Sequence, residues 1–146
     1  MIELDLKNPP RQGLGQGTYG ILVVDDEEDL RALLSIGLRQ QGFAVWLAAD
    51  GHEALELYRR HREFIDVALL DVRMPGQDGP QTLAALYKVN PQIRCCFMSG
   101  DFGSHTEEKL RSLGAAAVLP KPFRLAEVAH QLWELANSAK LSPSSL

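Results

Sequence analysis

Val67-Ala68-Leu69-Leu70-Asp71-Val72-Arg73-Met74-Pro75-Gly76-Gln77-Asp78-Gly79 passes from an unbroken apolar run into a polar, glycine-containing loop that ends at Pro80, a favoured first residue of a helix. A short apolar run without polar alternation suits a strand buried on both faces, as in a parallel sheet covered by helices. Three other stretches share this arrangement. Ile21-Leu22-Val23-Val24 leads to Asp25-Asp26, Cys95-Cys96-Phe97-Met98 to Ser99, and Ala115-Ala116-Ala117-Val118-Leu119 to Lys121-Pro122. Parallel strands would bring all of these polar residues to one edge of one sheet.

Helical patterns fill the intervals. Strands are predicted at 20–24, 43–47, 66–70, 93–98 and 115–119. After the first, Leu30, Leu33, Leu34 and Leu38 recur at helical spacing, with Gly42 where a C-terminal cap belongs. Asp50-Gly51-His52-Glu53 is a capping-box pattern ahead of Ala54, Leu55 and Tyr58. Leu83, Leu86 and Tyr87 mark a helix that stops before Asn90-Pro91. Ser104 and Glu107 are spaced to cap a short helix ending at Gly114, and Leu125, Val128, Leu132 and Leu135 share one face of the last helix. Five β/α pairs imply an α/β fold with right-handed crossovers. Ligands in such sheets bind beyond the carboxyl ends of the strands.

The chain has 146 residues, enough for one domain with a real core. Residues 1–19 read as a flexible arm in which little could be buried, 20–138 as the domain and 139–146 as a tail. A net charge of −4 argues against direct nucleic-acid binding. No run approaches the roughly 20 apolar residues of a membrane span, so no membrane insertion is expected. Met1-Ile2-Glu3-Leu4-Asp5 carries acids where a signal peptide would be basic, and a cytoplasmic location is expected. Cys95 and Cys96 read as buried, reduced thiols.

Asp71 has the strongest claim to reactivity, since a carboxylate can attack a phosphoryl donor. Asp25 and Asp26 would repel it unless a cation intervened, and Mg²⁺, which takes hard oxygen ligands and phosphate oxygens, suits that place. Lys121 would pair with one phosphoryl oxygen and the Ser99 hydroxyl would bond another. Each residue alone has a plainer reading: a helix cap for Asp25-Asp26, a turn for Asp71, a loop for Ser99, a surface cation for Lys121. Their joint placement carries the signal.

At these residues the chain resembles the receiver domain of bacterial response regulators. The resemblance rests on Ile21 through Glu27, Leu69 through Gly79, Met98-Ser99-Gly100, and Gly114-Ala115 through Lys121-Pro122-Phe123, in family order over roughly residues 19–138. It implies a flavodoxin-like (βα)5 doubly wound sheet with strand order 2-1-3-4-5. It implies that Asp71 accepts phosphate from a sensor histidine kinase or a histidine phosphotransfer protein. Asp26 and Asp71 would then ligate Mg²⁺ directly, Asp25 through water, with the backbone carbonyl of Arg73 completing the protein set. A cis peptide before Pro122 is also implied. So is a downstream protein partner, with a homodimer through the last two helices and fifth strand as a further expectation. The domain would catalyse only its own phosphorylation and dephosphorylation, and a free-standing regulator and a piece of a larger regulator or hybrid kinase both stay open.

The chain departs from the family pattern at Val118, where Tyr or Phe is usual, at Arg73 beside the acceptor, and in the length of the arm. Val118 favours a rival reading, a phosphorylation-independent interaction module on the same fold. The intact acidic set, Ser99 and Lys121 oppose it. Fragments of kinase motifs also occur. Gly15-Gln16-Gly17-Thr18-Tyr19-Gly20 precedes a strand instead of following one, Asp101-Phe102-Gly103 belongs to the loop after strand four, and His61-Arg62-Glu63 has Glu63 where a catalytic Asp is needed. His52, His61, His105 and His130 read as solvated helix-face residues, and Trp46 and Trp133 as packing residues.

Overall fold

The structure, a computed structural model, describes residues 18–100 and 106–140, with the backbone alone at 139 and 140. Strands β1 (Gly20–Val24), β2 (Ala44–Ala48), β3 (Val67–Asp71), β4 (Arg94–Ser99) and β5 (Ala117–Pro120) alternate with helices α1 (Glu28–Gln40), α2 (Gly51–His61), α3 (Gly79–Val89), α4 (Glu107–Ser112) and α5 (Leu125–Lys140). The sheet order is β2-β1-β3-β4-β5, and every pair is parallel. This is the flavodoxin-like topology expected from the sequence.

Successive strand residues point to opposite faces, so one apolar run serves two cores. Leu22, Val24, Ala68, Leu70, Cys95 and Phe97 pack with residues of α2, α3 and α4. Ile21, Val23, Val67, Leu69, Cys96 and Met98 pack with residues of α1 and α5. Both cysteines are free and buried, and burial pushes the Cys96 thiol up to about 12 and that of Cys95 well above its ordinary value. Among the described residues, no helix is long and apolar enough to cross a membrane.

Local chemistry sets the helix starts on the side of the sheet where the strands end. Asp50 accepts a hydrogen bond from the Glu53 N–H at 2.9 Å. Asp78 and Gln81 form a full capping box around Pro80, fixing where the loop after β3 becomes helix. Thr106 caps α4 by accepting from the Lys109 N–H at 3.0 Å, whereas the Ser104 expected there lies outside the described residues. Gly42, just past α1, has φ +97°, as a C-terminal cap requires.

Several expectations are corrected. Leu33 is 62% exposed, because α1 turns Leu34, Ser35, Gly37 and Leu38 inward. β5 begins two residues later than expected, since the Ala115 N–H is committed to the Leu110 carbonyl at the end of α4. His61 is buried, its ring stacked on Trp46 at 5.5 Å. Tyr19, assigned to the arm, is buried, and its hydroxyl bonds Asn137 Oδ1 of α5 at 3.0 Å. Trp46 packs fully, but Trp133 is half exposed.

Candidate functional site

The parallel register places Asp25 and Asp26 after β1, Asp71 at the end of β3, Ser99 at the end of β4 and Lys121 just after β5, all at one sheet edge. Asp71 lies opposite Met98, and Ser99 opposite Pro120. The three aspartates each offer a carboxylate oxygen within 4.8 Å of the others.

Asp25 is fully buried and held from four directions. Its N–H donates to Ala48 O at 3.1 Å, and its carbonyl accepts from Arg31 Nη1 at 2.7 Å. Oδ1 accepts from the Glu27 N–H at 2.8 Å and Oδ2 from Lys121 Nζ at 3.1 Å. Asp26 is exposed. Lys121 Nζ also lies 3.6 Å from Glu27 and 3.7 Å from Asp71. Its backbone N–H donates to Ser99 O at 2.8 Å, tying the Lys121 segment to the end of β4. The Lys121-Pro122 peptide is cis.

Burial, followed by the charge of Asp25, pushes the Asp71 carboxyl up to about 6, against the pull of Lys121 and the Arg73 N–H. Burial also raises Asp25, although the Glu27 N–H and Lys121 oppose it. Burial alone would lower Lys121, but its bond to Asp25 and the charges of Asp25, Asp71 and Glu27 win, so its pKa is raised and the ammonium persists. Lys121 is the cation paired with the Asp25, Glu27 and Asp71 carboxylates, and Arg31 is spent on the Asp25 carbonyl, so the acids outnumber the positive charge that faces them. An all-oxygen carboxylate set of this spacing fits a hard divalent cation.

The loop after β3 is drawn tight beneath Asp71. Val72 and Met74 are buried and Arg73 is exposed. The Gly79 N–H donates to Val72 O at 2.9 Å, and a Cβ at Gly79 would collide with the Asp71 carbonyl. Val118 is buried in the core that holds Leu86 and Leu110.

Asp25, Asp26, Asp71, Ser99 and Lys121 therefore share this edge, and Arg73 lies in the loop that follows Asp71. Sequence reasoning assigned no role to Glu27 or Arg31: both bond Asp25, and Glu27 also lies beside Lys121. The available signal was their position one helical turn apart, immediately after the acid pair.

An open doubly wound sheet with an acid cluster and a lysine at its carboxyl edge defines a CheY-like α/β domain. The family model for the response regulator receiver domain matches residues 21–132, and the chain belongs to that family. It is 34% identical over 119 residues to the sensor kinase CckA of Brucella abortus, covering 82% of this chain and 13% of that protein. It is 32% identical to the sporulation initiation phosphotransferase F of Bacillus subtilis, covering 74% of this chain and 86% of that one. The CheX-CheY-BeF3-Mg complex from Borrelia burgdorferi superposes with a TM-score of 0.74 at 27% identity, over 80% of this chain and 88% of the other. The chain spans less than half the length of several curated relatives it matches.

Proposed function

We propose that Asp71 accepts a phosphoryl group from the phosphohistidine of a sensor histidine kinase or histidine phosphotransfer protein, in a Mg²⁺-dependent reaction in the cytoplasm. The observation that carries this reading is the convergence of Asp25, Asp26 and Asp71 with Lys121 at the end of the sheet. Asp26 and Asp71 would hold the ion directly, with the Arg73 backbone carbonyl. Asp25, both of whose oxygens are already engaged, suits a contact through water. When bound, Mg²⁺ supplies the positive charge that keeps these carboxylates ionised and balances phosphoryl oxygens.

The Asp71 carboxylate attacks phosphorus, the P–N bond breaks, and its electron pair stays on the imidazole of the donor. Lys121, kept charged by its acidic neighbours, pairs with a phosphoryl oxygen, and the Ser99 hydroxyl donates to another. Water later attacks phosphorus, releasing phosphate and restoring the carboxylate. No external substrate is turned over. Because Lys121 directly follows β5, its move toward the phosphoryl group would bias the β5, α4 and α5 surface toward a downstream protein or a second copy.

Incubation with acetyl phosphate and Mg²⁺, followed by intact mass measurement, tests the reading. One added phosphoryl group, absent in Asp71→Asn and without Mg²⁺, is the expected result. An unmodified chain would leave the phosphorylation-independent module.

A further inference from the structure

Asp26 is the exposed member of the acid cluster; Asp25 and Asp71 are buried. Among the described residues, no side-chain hydrogen bond or ion pair holds the Asp26 carboxylate. Its backbone must therefore aim it at its two partners.

Arg31, in the first turn of α1, clamps that backbone at both ends. Its Nη1 donates to the Asp25 carbonyl at 2.7 Å, a short charge-assisted bond, and its own N–H donates to the Glu27 carbonyl at 3.0 Å. A trans peptide is planar, so holding the Asp25 carbonyl holds the plane that carries the Asp26 nitrogen and Cα. Glu27 opens α1 without a side-chain cap, and its N–H is bound to Asp25 Oδ1 at 2.8 Å. Asp25 is anchored in turn to β2, through its N–H to the Ala48 carbonyl. Asp26 is the single residue between these two fixed points. The charges that act on the Asp25 and Asp71 carboxyls come from Lys121, Glu27 and the other aspartates, whereas the printed bonds of Arg31 go to backbone carbonyls.

We infer that Arg31 is a positioning residue for the divalent ion: by gripping the carbonyls on either side of Asp26 it holds that carboxylate where the ion needs it. The inference rests on reading this edge as a Mg²⁺ site. Two physical consequences separate positioning from plain charge or plain stability. Taking a cation away from a cation site would by itself tighten binding, so positioning and charge predict opposite signs. Mg²⁺ also demands near-ideal octahedral geometry, whereas Ca²⁺ accepts a flexible oxygen set, so a loosened Asp26 penalises Mg²⁺ more.

The test measures Mg²⁺ and Ca²⁺ dissociation constants by calorimetric titration of the full chain, Arg31→Met, Arg31→Lys and Asp26→Asn, with urea unfolding in EDTA to show that each is folded. Methionine keeps the helix propensity but donates nothing. Arg31→Met should bind Mg²⁺ about 10-fold more weakly, as loss of a residue that orients a metal ligand does, with a smaller loss for Ca²⁺. Arg31→Lys still carries a donor and should fall between Arg31→Met and the parent. Unchanged or tighter Mg²⁺ binding in Arg31→Met would overturn the inference. So would equal losses for the two ions, which a general loosening of the fold would give. If Arg31→Met does not fold, Arg31→Lys decides alone, and an unchanged preference for Mg²⁺ over Ca²⁺ overturns the inference. A parent that binds neither ion, or an Asp26→Asn variant that binds Mg²⁺ as the parent does, would overturn the metal reading and this inference with it.

Discussion

Lys121 is bonded to Asp25, not to Asp71: Nζ lies 3.1 Å from Asp25 Oδ2 and 3.7 Å from Asp71 Oδ1. The buried aspartate thus parks the ammonium one short step from the acceptor. Its cost in burial is reduced, though not cancelled, by the lysine and the Glu27 N–H, and the lysine lies close to any anion on Asp71.

Removing the ammonium should expose that dependence. Lys121→Met leaves Asp25 buried without its cation, and breaking such a pair costs about 3 kcal/mol or more. Urea unfolding in EDTA should show the loss, and Mg²⁺ should restore part of it by supplying charge to the same acids. Equal stability of variant and parent in EDTA would show that the pair contributes nothing.

Metal-free stability should fall as pH rises through the range in which Asp71 ionises. Its folded pKa, raised from 3.8 to about 6, lies above its unfolded value, so the folded state holds the proton more tightly. The resulting stabilisation is complete below about pH 4 and gone above about pH 6, and is at most on the order of 3 kcal/mol. Lys121 shifts upward from 10.5, so its contribution is lost only at more alkaline pH. Melting temperatures in EDTA between pH 4 and 7 should fall less for Asp71→Asn than for the parent, and Mg²⁺ should stabilise the parent at pH 7 but not at pH 4. Parallel curves for the two proteins would contradict the Asp71 shift.

Gly79→Ala should damage both the fold and the acceptor loop. The added methyl would meet the Asp71 carbonyl and the Phe97 ring, and overpacking of this kind costs roughly 1–3 kcal/mol. A lowered denaturation midpoint with slower acetyl phosphate labelling is expected. Normal labelling would show that the loop relaxes without moving Asp71.

Arg73→Ala should change the lifetime of the phosphorylated form several-fold, because an exposed cation two residues from Asp71 can act on charge that develops during hydrolysis. Loss of the phosphoryl mass with time gives the rate. An unchanged half-life would confine Arg73 to its backbone.

Much of the architecture was legible because parallel sheets buried on both faces write themselves as apolar runs, and each run here ends in the residue it delivers. Asp71, Ser99 and Lys121 could be placed at a common edge without coordinates. The side chains of α1 were harder. Leu33 and Leu34 are equally apolar and adjacent, and only the docking of α1 on the sheet and on α5 turns one inward. His61 looked like a solvated helix residue until Trp46, on a separate strand, closed over it. Tyr19 looked like part of the arm because its partners, Trp133 and Asn137, come from the far end of the chain.

Local order therefore determined the βα alternation, the acid cluster and the lysine, since these follow from runs of neighbouring residues. Tertiary structure decided which aspartate is buried, which oxygen the lysine holds and how far the Asp71 carboxyl is pushed. Those depend on distances and desolvation among groups brought together from four strand ends, and no local stretch of sequence encodes them.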